Sequence, residues 1–236
     1  MSISEKYGRT HHYPFSPGAT GDDKINYDYW NDIQTIPALI HTEKLDGENN
    51  CLSKYGVFAR SHAAPATSAW TASLREYWQG IKNDLGDLEV FLENCCAIHS
   101  LQYRLLEHHF YVFAVREKDI WLSWEETKFY AAMLDLPVVP EIEVLKTPAN
   151  RIDFEQAVHK IVSTRGAFEP LDIITGEPAT MEGIVSRNTG SYPKEAFSHN
   201  VFKYVRKGHV KTDEHWTRTW KRAPLKGEGG KHVETI

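Results

Sequence analysis

The stretch Glu43-Lys44-Leu45-Asp46-Gly47-Glu48-Asn49 decides how this chain reads. It places a lysine in a K-x-D-G frame, with a glutamate before it and an asparagine five residues on. Lysine becomes an amine nucleophile once burial or neighbouring cations lower its pKa. Gly47 permits a tight turn and a close backbone approach to a ligand. A surface lysine before an Asp-Gly turn would show the same four letters, so the motif needs company.

That company arrives in order along the chain. Arg60-Ser61 closes one predicted strand and Glu93 lies in another. Phe110-Tyr111-Val112-Phe113-Ala114-Val115 is a β-rich aromatic run. Glu182-Gly183-Ile184-Val185-Ser186-Arg187 brings a carboxylate into a short apolar strand. Val201-Phe202-Lys203-Tyr204-Val205-Arg206-Lys207 carries lysine toward the same region.

This ordered set resembles the covalent nucleotidyltransferase superfamily of ATP-dependent ligases and capping enzymes. Within it the chain is most similar to RNA ligases of the RNA ligase 2 and RNA-editing-ligase type. The E-K-x-x-G-x-N form at Glu43 to Asn49 favours them over DNA ligases, as does the segment His209 to Trp216. The resemblance spans roughly residues 38 to 216. The chain departs from the pattern twice. Where the family has K-x-K, this sequence has Lys203-Tyr204-Val205, with Arg206 and Lys207 just beyond. The family's glutamate motif is matched by Glu93, with Glu89 as a rival.

The resemblance implies an α+β nucleotidyltransferase (ATP-grasp-like) fold, two antiparallel sheets flanked by helices around a nucleotide cleft. It implies sealing of RNA ends in three in-line displacements at phosphorus. Lys44 takes AMP from ATP, AMP passes to an RNA 5′-phosphate, and a 3′-hydroxyl displaces it. By the same pattern Glu182 holds Mg²⁺ (or Mn²⁺) and Lys203 meets the α-phosphate. Arg60 contacts phosphate or ribose, Glu93 the ribose hydroxyls, and Phe113 the adenine. Asn49 lies near the α-phosphate, and Glu43 belongs to the nucleotide site. Asp46 reads as a structural hydrogen-bond partner. Two rivals stay open. One is another lysyl-nucleotide enzyme, a capping guanylyltransferase or a DNA ligase. The other is a module of this fold that binds RNA ends without sealing them.

Composition sets the bounds. The chain has 236 residues, 41 % of them hydrophobic, with seven Trp, ten Phe and eleven Tyr, enough for a substantial core. No apolar run approaches membrane-spanning length and the first residues lack an apolar leader, so a soluble, cytoplasmic (intracellular) protein is expected. Cys51, Cys95 and Cys96 show neither a disulfide framework nor zinc spacing. The net charge of −5 hides an asymmetry: residues 201–231 hold nine Lys/Arg against three Asp/Glu, which leaves the remainder at −11. A polyanion-facing end is expected there, with Lys211, Arg218, Lys221 and Arg222 on RNA and Trp216 and Trp220 available to stack on bases. Protein partners are not specified.

Periodicity predicts strands at 38–42, 49–53, 57–61, 88–97, 110–115, 120–124, near Ile142, 183–186 and 201–205. Helices are predicted over 69–85, 125–134 and 154–164. The expected organisation is a polar N-terminal extension (1–35), an adenylyltransferase domain (36–216) and a mobile basic tail (217–236).

Overall fold

The computed structural model describes residues 5–208, 217 and 220–228. The strands are β1 (His11–His12), β2 (Ala38–Lys44), β3 (Glu48–Ser53), β4 (Gly56–Ala59), β5 (Leu88–Asn94), β6 (Leu101–Tyr103) and β7 (Phe110–Glu117). They continue with β8 (Ile120–Trp121), β9 (Glu141–Lys146), β10 (Pro170–Asp172), β11 (Gly183–Asn188), β12 (Tyr192–Pro193) and β13 (Val201–Val205). The helices are α1 (Tyr29–Thr35), α2 (Ala72–Ile81), α3 (Trp124–Met133) and α4 (Arg151–Val162).

One sheet has five strands in the order β1-β13-β11-β2-β9, and a second has six in the order β12-β8-β7-β5-β3-β4. A short β10-β6 pair stands apart from both. Alternation along each strand sends side chains to opposite faces. Phe91, Cys51, Tyr111, Ile40 and Val201 meet in an apolar layer between the sheets. The outer face of the six-stranded sheet buries Val90, Leu92 and Val112 against Leu74 of α2 and Ala131 of α3. The outer face of the five-stranded sheet buries Leu39, Ile184 and Phe202 against Ile33 of α1 and Phe154 and Val158 of α4. The result is helix, sheet, sheet, helix.

Local chemistry accounts for the element ends. Ser123 and Glu126 form a reciprocal capping box at the start of α3, and Asn150 accepts from the first amides of α4. α2 stops at Ile81, short of the predicted Leu85, where Asn83, Asp84 and Gly86 break the pattern. The 110–124 hairpin turns at Lys118, which takes a positive φ of 53°.

Two features differ from the expected pair of antiparallel sheets. β1 joins β13 in parallel, because the N-terminal segment enters alongside the last strand rather than returning from it. Residues 5–35, expected as a polar extension, carry β1 and α1 and bury Tyr13 and Tyr29 completely. Tyr13 stacks on Phe15 and Phe202 and meets Tyr29 edge-on. The described part of the tail is also packed. Ala223 N donates to Cys96 O at 2.8 Å, Ile98 N donates to Lys221 O at 2.9 Å, and Ala223 is buried.

Tyr13→Ala should therefore lower unfolding stability by about 3 to 5 kcal/mol, the usual cost of removing a buried ring. Urea unfolding checks this; a cost near that of an exposed ring such as Phe129 would mean the N-terminal segment is an appendage.

Candidate active site

The K-x-D-G turn is the crossing from one sheet to the other: β2 lies in the five-stranded sheet and β3 in the six-stranded one. Asp46 pins it. Its Oδ2 accepts from Ser100 N (2.8 Å), Ser100 Oγ (2.8 Å) and Leu101 N (2.7 Å), while its own amide donates to the Tyr103 hydroxyl at 2.8 Å. Gly47 N donates to Glu93 Oε1 at 3.0 Å. A β-carbon on Gly47 would stand 2.6 Å from Asn94 O, so the glycine serves close approach to β5, and it also lines the cavity around Lys44.

Lys44 ends β2 opposite Gly183 of β11, so Glu182 arrives beside it. Lys44 Nζ lies 2.7 Å from Glu182 Oε2, with the lysine side chain 27 % exposed and the glutamate 5 %. A β-carbon on Gly183 would sit 2.0 Å from Tyr204 O of β13.

Around Lys44 opens a cavity of about 610 Å³ between the sheets. Glu43, Lys44, Asn49, Arg60, Glu93, Phe113 and Lys203 all line it, from five different strands and one loop. Glu182 reaches it through its ion pair with Lys44. Glu89 does not line it and is tied to Arg116, whose Nε donates to Glu89 Oε2 at 2.7 Å. Glu93 is thus the carboxylate of β5 that faces the cavity. Val205 shares the inner face with Lys203 but is an apolar, buried side chain, and Arg206 is not in the lining.

The sequence reading missed Tyr7, Thr10, Val139, Val185 and Arg187 in the lining. Val185 is the cross-strand partner of Lys203, a pairing that alternation alone could have suggested. Arg187 is 6 % exposed, with its guanidinium carbon 5.8 Å from the Phe113 ring centre and 5.5 Å from that of Trp124. It donates to Phe113 O across the sheets. Phe113 itself is a bulge residue: Phe91 pairs with Ala114 and Leu92 with Val112, skipping it. Bulges re-aim side chains, which lets Phe113 and Ala114 both lean inward.

The charges are unevenly placed. Burial pushes the Glu43 carboxyl up to about 7, Glu182 to about 7 and Glu93 to about 8. Burial alone would lower Lys44, but the Glu182, Glu93 and Asp46 carboxylates outweigh it and hold the lysine as an ammonium. The neutral amine expected for attack therefore requires Glu182 to be drawn off. Lys203 shifts the other way: burial lowers it, Asp23 opposes, and Lys44 and Arg60 lower it further. Glu43 and Asn49 line the cavity, and Glu43 Oε1 and Asn49 Oδ1 are buried with no hydrogen-bond partner, the former packed against Gly166. Among the described residues no three His, Cys, Asp or Glu are grouped as a metal cage. One or two carboxylates completed by phosphate oxygens is the habit of Mg²⁺, and Glu182 is a carboxylate of that kind.

The expected RNA contacts divide. Lys211, Arg218 and Trp216 lie outside the described residues. Lys221 is exposed. Arg222 is committed to Glu228 through two contacts of 2.7 and 3.0 Å, and Trp220 meets Trp70 at 6.2 Å between ring centres. The expected mobile tail is thus docked over 220–228, because its backbone pairs with residues 96–98 and 106.

Sheets of this order around an inter-sheet cavity, with a lysine at the crossing, define a nucleotidyltransferase fold. The chain belongs to the RNA ligase family, whose model matches residues 37–205. The structure is similar to an RNA ligase of Naegleria gruberi solved as a point mutant with ATP and Mn, with a TM-score of 0.54 and 13 % identity over 87 % of this chain and 57 % of that one. It is also similar to an archaeal ATP-dependent RNA ligase, with a TM-score of 0.52 and 12 % identity over 85 % of this chain and 48 % of that one. This chain therefore spans about half the length of these relatives. A comparison with the curated proteins finds no match. No helix among the described residues is long and apolar enough to cross a membrane.

The raised carboxyls have a consequence for stability. Glu43, Glu182 and Glu93 bind protons more tightly folded than unfolded, so they favour unfolding as pH rises from about 4.5 through their folded values. His12 and His41, held neutral to about 4, add stability with pH only up to their unfolded value near 6.5. Between pH 6.5 and 8 the carboxyls act without that offset, so the Tm should fall across this window. Calorimetry should show a shallower fall in Glu43→Gln; a Tm that rises from pH 6.5 to 8 would contradict the arrangement.

Proposed function

We propose that this chain is the adenylyltransferase unit of an ATP-dependent RNA ligase, joining 5′-phosphate and 3′-hydroxyl RNA ends through lysyl-AMP and RNA-adenylate. The observation that carries this reading is Lys44 at the sheet crossing, flanked by Glu182 and Glu93, opening onto a cavity that also presents Lys203, Arg60, Asn49 and Phe113. The Naegleria relative's complex with ATP and Mn supports ATP and a divalent ion as its cofactors.

In the first step the Lys44 amine, having given its ammonium proton to solvent, forms a bond from nitrogen to the α-phosphorus and releases a second N–H proton to solvent. The bond from that phosphorus to the bridging oxygen breaks, and pyrophosphate leaves with the electron pair. Such displacements need alignment and charge stabilisation more than covalent help from the protein. Phe113 and Val185 wall the base, Glu93 accepts from ribose hydroxyls, and Glu43 Oε1 offers an acceptor to a nucleotide N–H or O–H. Arg60 supplies a forked contact and Lys203 a point charge for phosphate. Glu182 would hold Mg²⁺ or Mn²⁺, which would supply positive charge to the phosphates, and a Glu182 so engaged would no longer be paired with Lys44. Asn49 stays beside the α-phosphate for sealing. We assign the nucleotide chemistry to residues 36–216 and RNA contact to the basic end, with Lys211, Arg218, Lys221 and Arg222 as candidates; Arg222 would first have to leave Glu228.

A second reading, an RNA-end-binding module that does not seal, is favoured by one observation. Val205 stands where the family has a second lysine, and it is 2 % exposed and apolar.

Incubation with ATP and Mg²⁺ should add the mass of one AMP to Lys44, and Lys44→Ala should abolish it. Glu182→Ala and Lys203→Ala should slow adenylylation by about 10² to 10³, the usual cost of losing a preorganised charge. Adenylylation without joining of a nicked or single-stranded RNA would select the second reading; labelled Lys44→Ala would remove Lys44 as the nucleophile. Lys221→Ala should weaken RNA binding and flatten its dependence on salt by about one phosphate contact, seen in titrations at several salt concentrations.

A further inference from the structure

The strand that carries Lys203 is flanked on one side by β11 and on the other by a segment that lies before the family match, which begins at residue 37. β1 runs parallel to β13 with His12 opposite Lys203. Tyr13 N donates to Lys203 O and Gly18 N to Val205 O, each at 2.9 Å. Ser16 Oγ accepts from Val205 N at 2.9 Å and lies 2.8 Å from His12 Nδ1. Beside this ladder the loop from Thr20 to Asp23 closes on itself. Thr20 N and Oγ1 both donate to Asp23 Oδ2 at 3.0 Å. The other oxygen, Oδ1, stands 3.3 Å from Lys203 Nζ and 3.2 Å from His12 Nε2, the latter an ion-pair distance without hydrogen-bond alignment.

We infer that Asp23, seated by Thr20 and backed by His12, is a positioning residue for Lys203, so that the N-terminal segment sets where this ammonium stands in the nucleotide cavity. The inference rests on the proposed reading of Lys203 as a phosphate-binding cation. A buried lysine with cations for neighbours needs a counter-charge to stay protonated. Lys203 is 19 % exposed and feels Lys44 on β2 and Arg60 after β4. Glu182, at the head of β11, is paired with Lys44. Asp23 is the carboxylate that answers Lys203. His12 does not compete for it as a cation, since burial and Lys203 hold its pKa at about 4. One carboxylate oxygen engages one of the three ammonium N–H groups, which leaves the others to meet phosphate.

The test uses the full chain and does not depend on catalysis. Competitive acetylation with acetic anhydride at a series of pH values, read by peptide mass spectrometry, gives the titration midpoint of Lys203. Asp23→Asn should lower that midpoint by about one to two pH units. Asp23→Glu should restore most of it, and Thr20→Val should move it the same way by less. In single-turnover assays the alkaline limb of lysyl-AMP formation should shift down with the midpoint in Asp23→Asn. An Asp23→Asn protein that loses active material while both curves stay in place has lost a merely structural residue, and the inference is overturned. If Asp23→Asn does not fold, an unmoved midpoint in Thr20→Val overturns it instead. Wild-type protein that forms no lysyl-AMP would remove the proposed activity, while a shifted midpoint in Asp23→Asn would still establish the anchor.

Discussion

Three donors converge on one oxygen of Asp46, and the geometry of the site depends on that convergence. The carboxylate ties the turn after β2 to the strand β6 region, and Gly47 ties the same turn to Glu93 of β5. Lys44 is thereby placed at a crossing whose two sides belong to different sheets. The three contacts to this oxygen, at 2.7 to 2.8 Å, are charge-assisted and fix the turn. The inter-sheet gap can then be wide enough for a nucleotide without leaving the lysine free to wander. The apolar layer of Phe91, Tyr111 and Val201 holds the sheets together beyond the gap.

The electrostatics follow from that placement. Three carboxyls share a poorly hydrated pocket, and each is pushed upward by burial. Glu182 and Glu93, with Asp46, outweigh burial and raise Lys44. Lys203, across β11, is offset from that cluster and is lowered instead. Two lysines of one cavity are pushed in opposite directions, the pattern by which a site divides roles among like groups. Asp23 moderates the second of them from outside the two central strands.

Alternation and turn chemistry carried the sequence reading a long way. Strands β2, β3, β5, β7, β11 and β13 and helices α2 to α4 were all legible, because their apolar residues recur at period 2 or at helical spacing. Of the shortest elements, β8 falls within the predicted strand 120–124, but β1 and β6 were not legible. β1 has two residues and β6 three, too few for any period to show. α1 has seven residues, and its apolar Tyr29 and Ile33 sit among polar neighbours. The choice of Glu93 over Glu89 was open in the sequence because both point to the same face of β5. In the fold, Arg116 on the neighbouring strand β7 holds Glu89, and Glu93 is the one that lines the cavity.

The sequence by itself determined which residue types could perform nucleotidyl transfer and in what order they come: a lysine before a turn, a carboxylate and a lysine on late strands. Those are local patterns, set by covalent spacing. Only the tertiary structure decided their charge states, since burial and partners such as Glu182 for Lys44 come from strands far apart in the chain. It alone decided that Phe113 is a bulge residue, that the stretch 220–228 is docked, and that Asp23 and His12 belong beside Lys203. Each of these depends on a pairing between distant segments, and no periodicity within one segment encodes it.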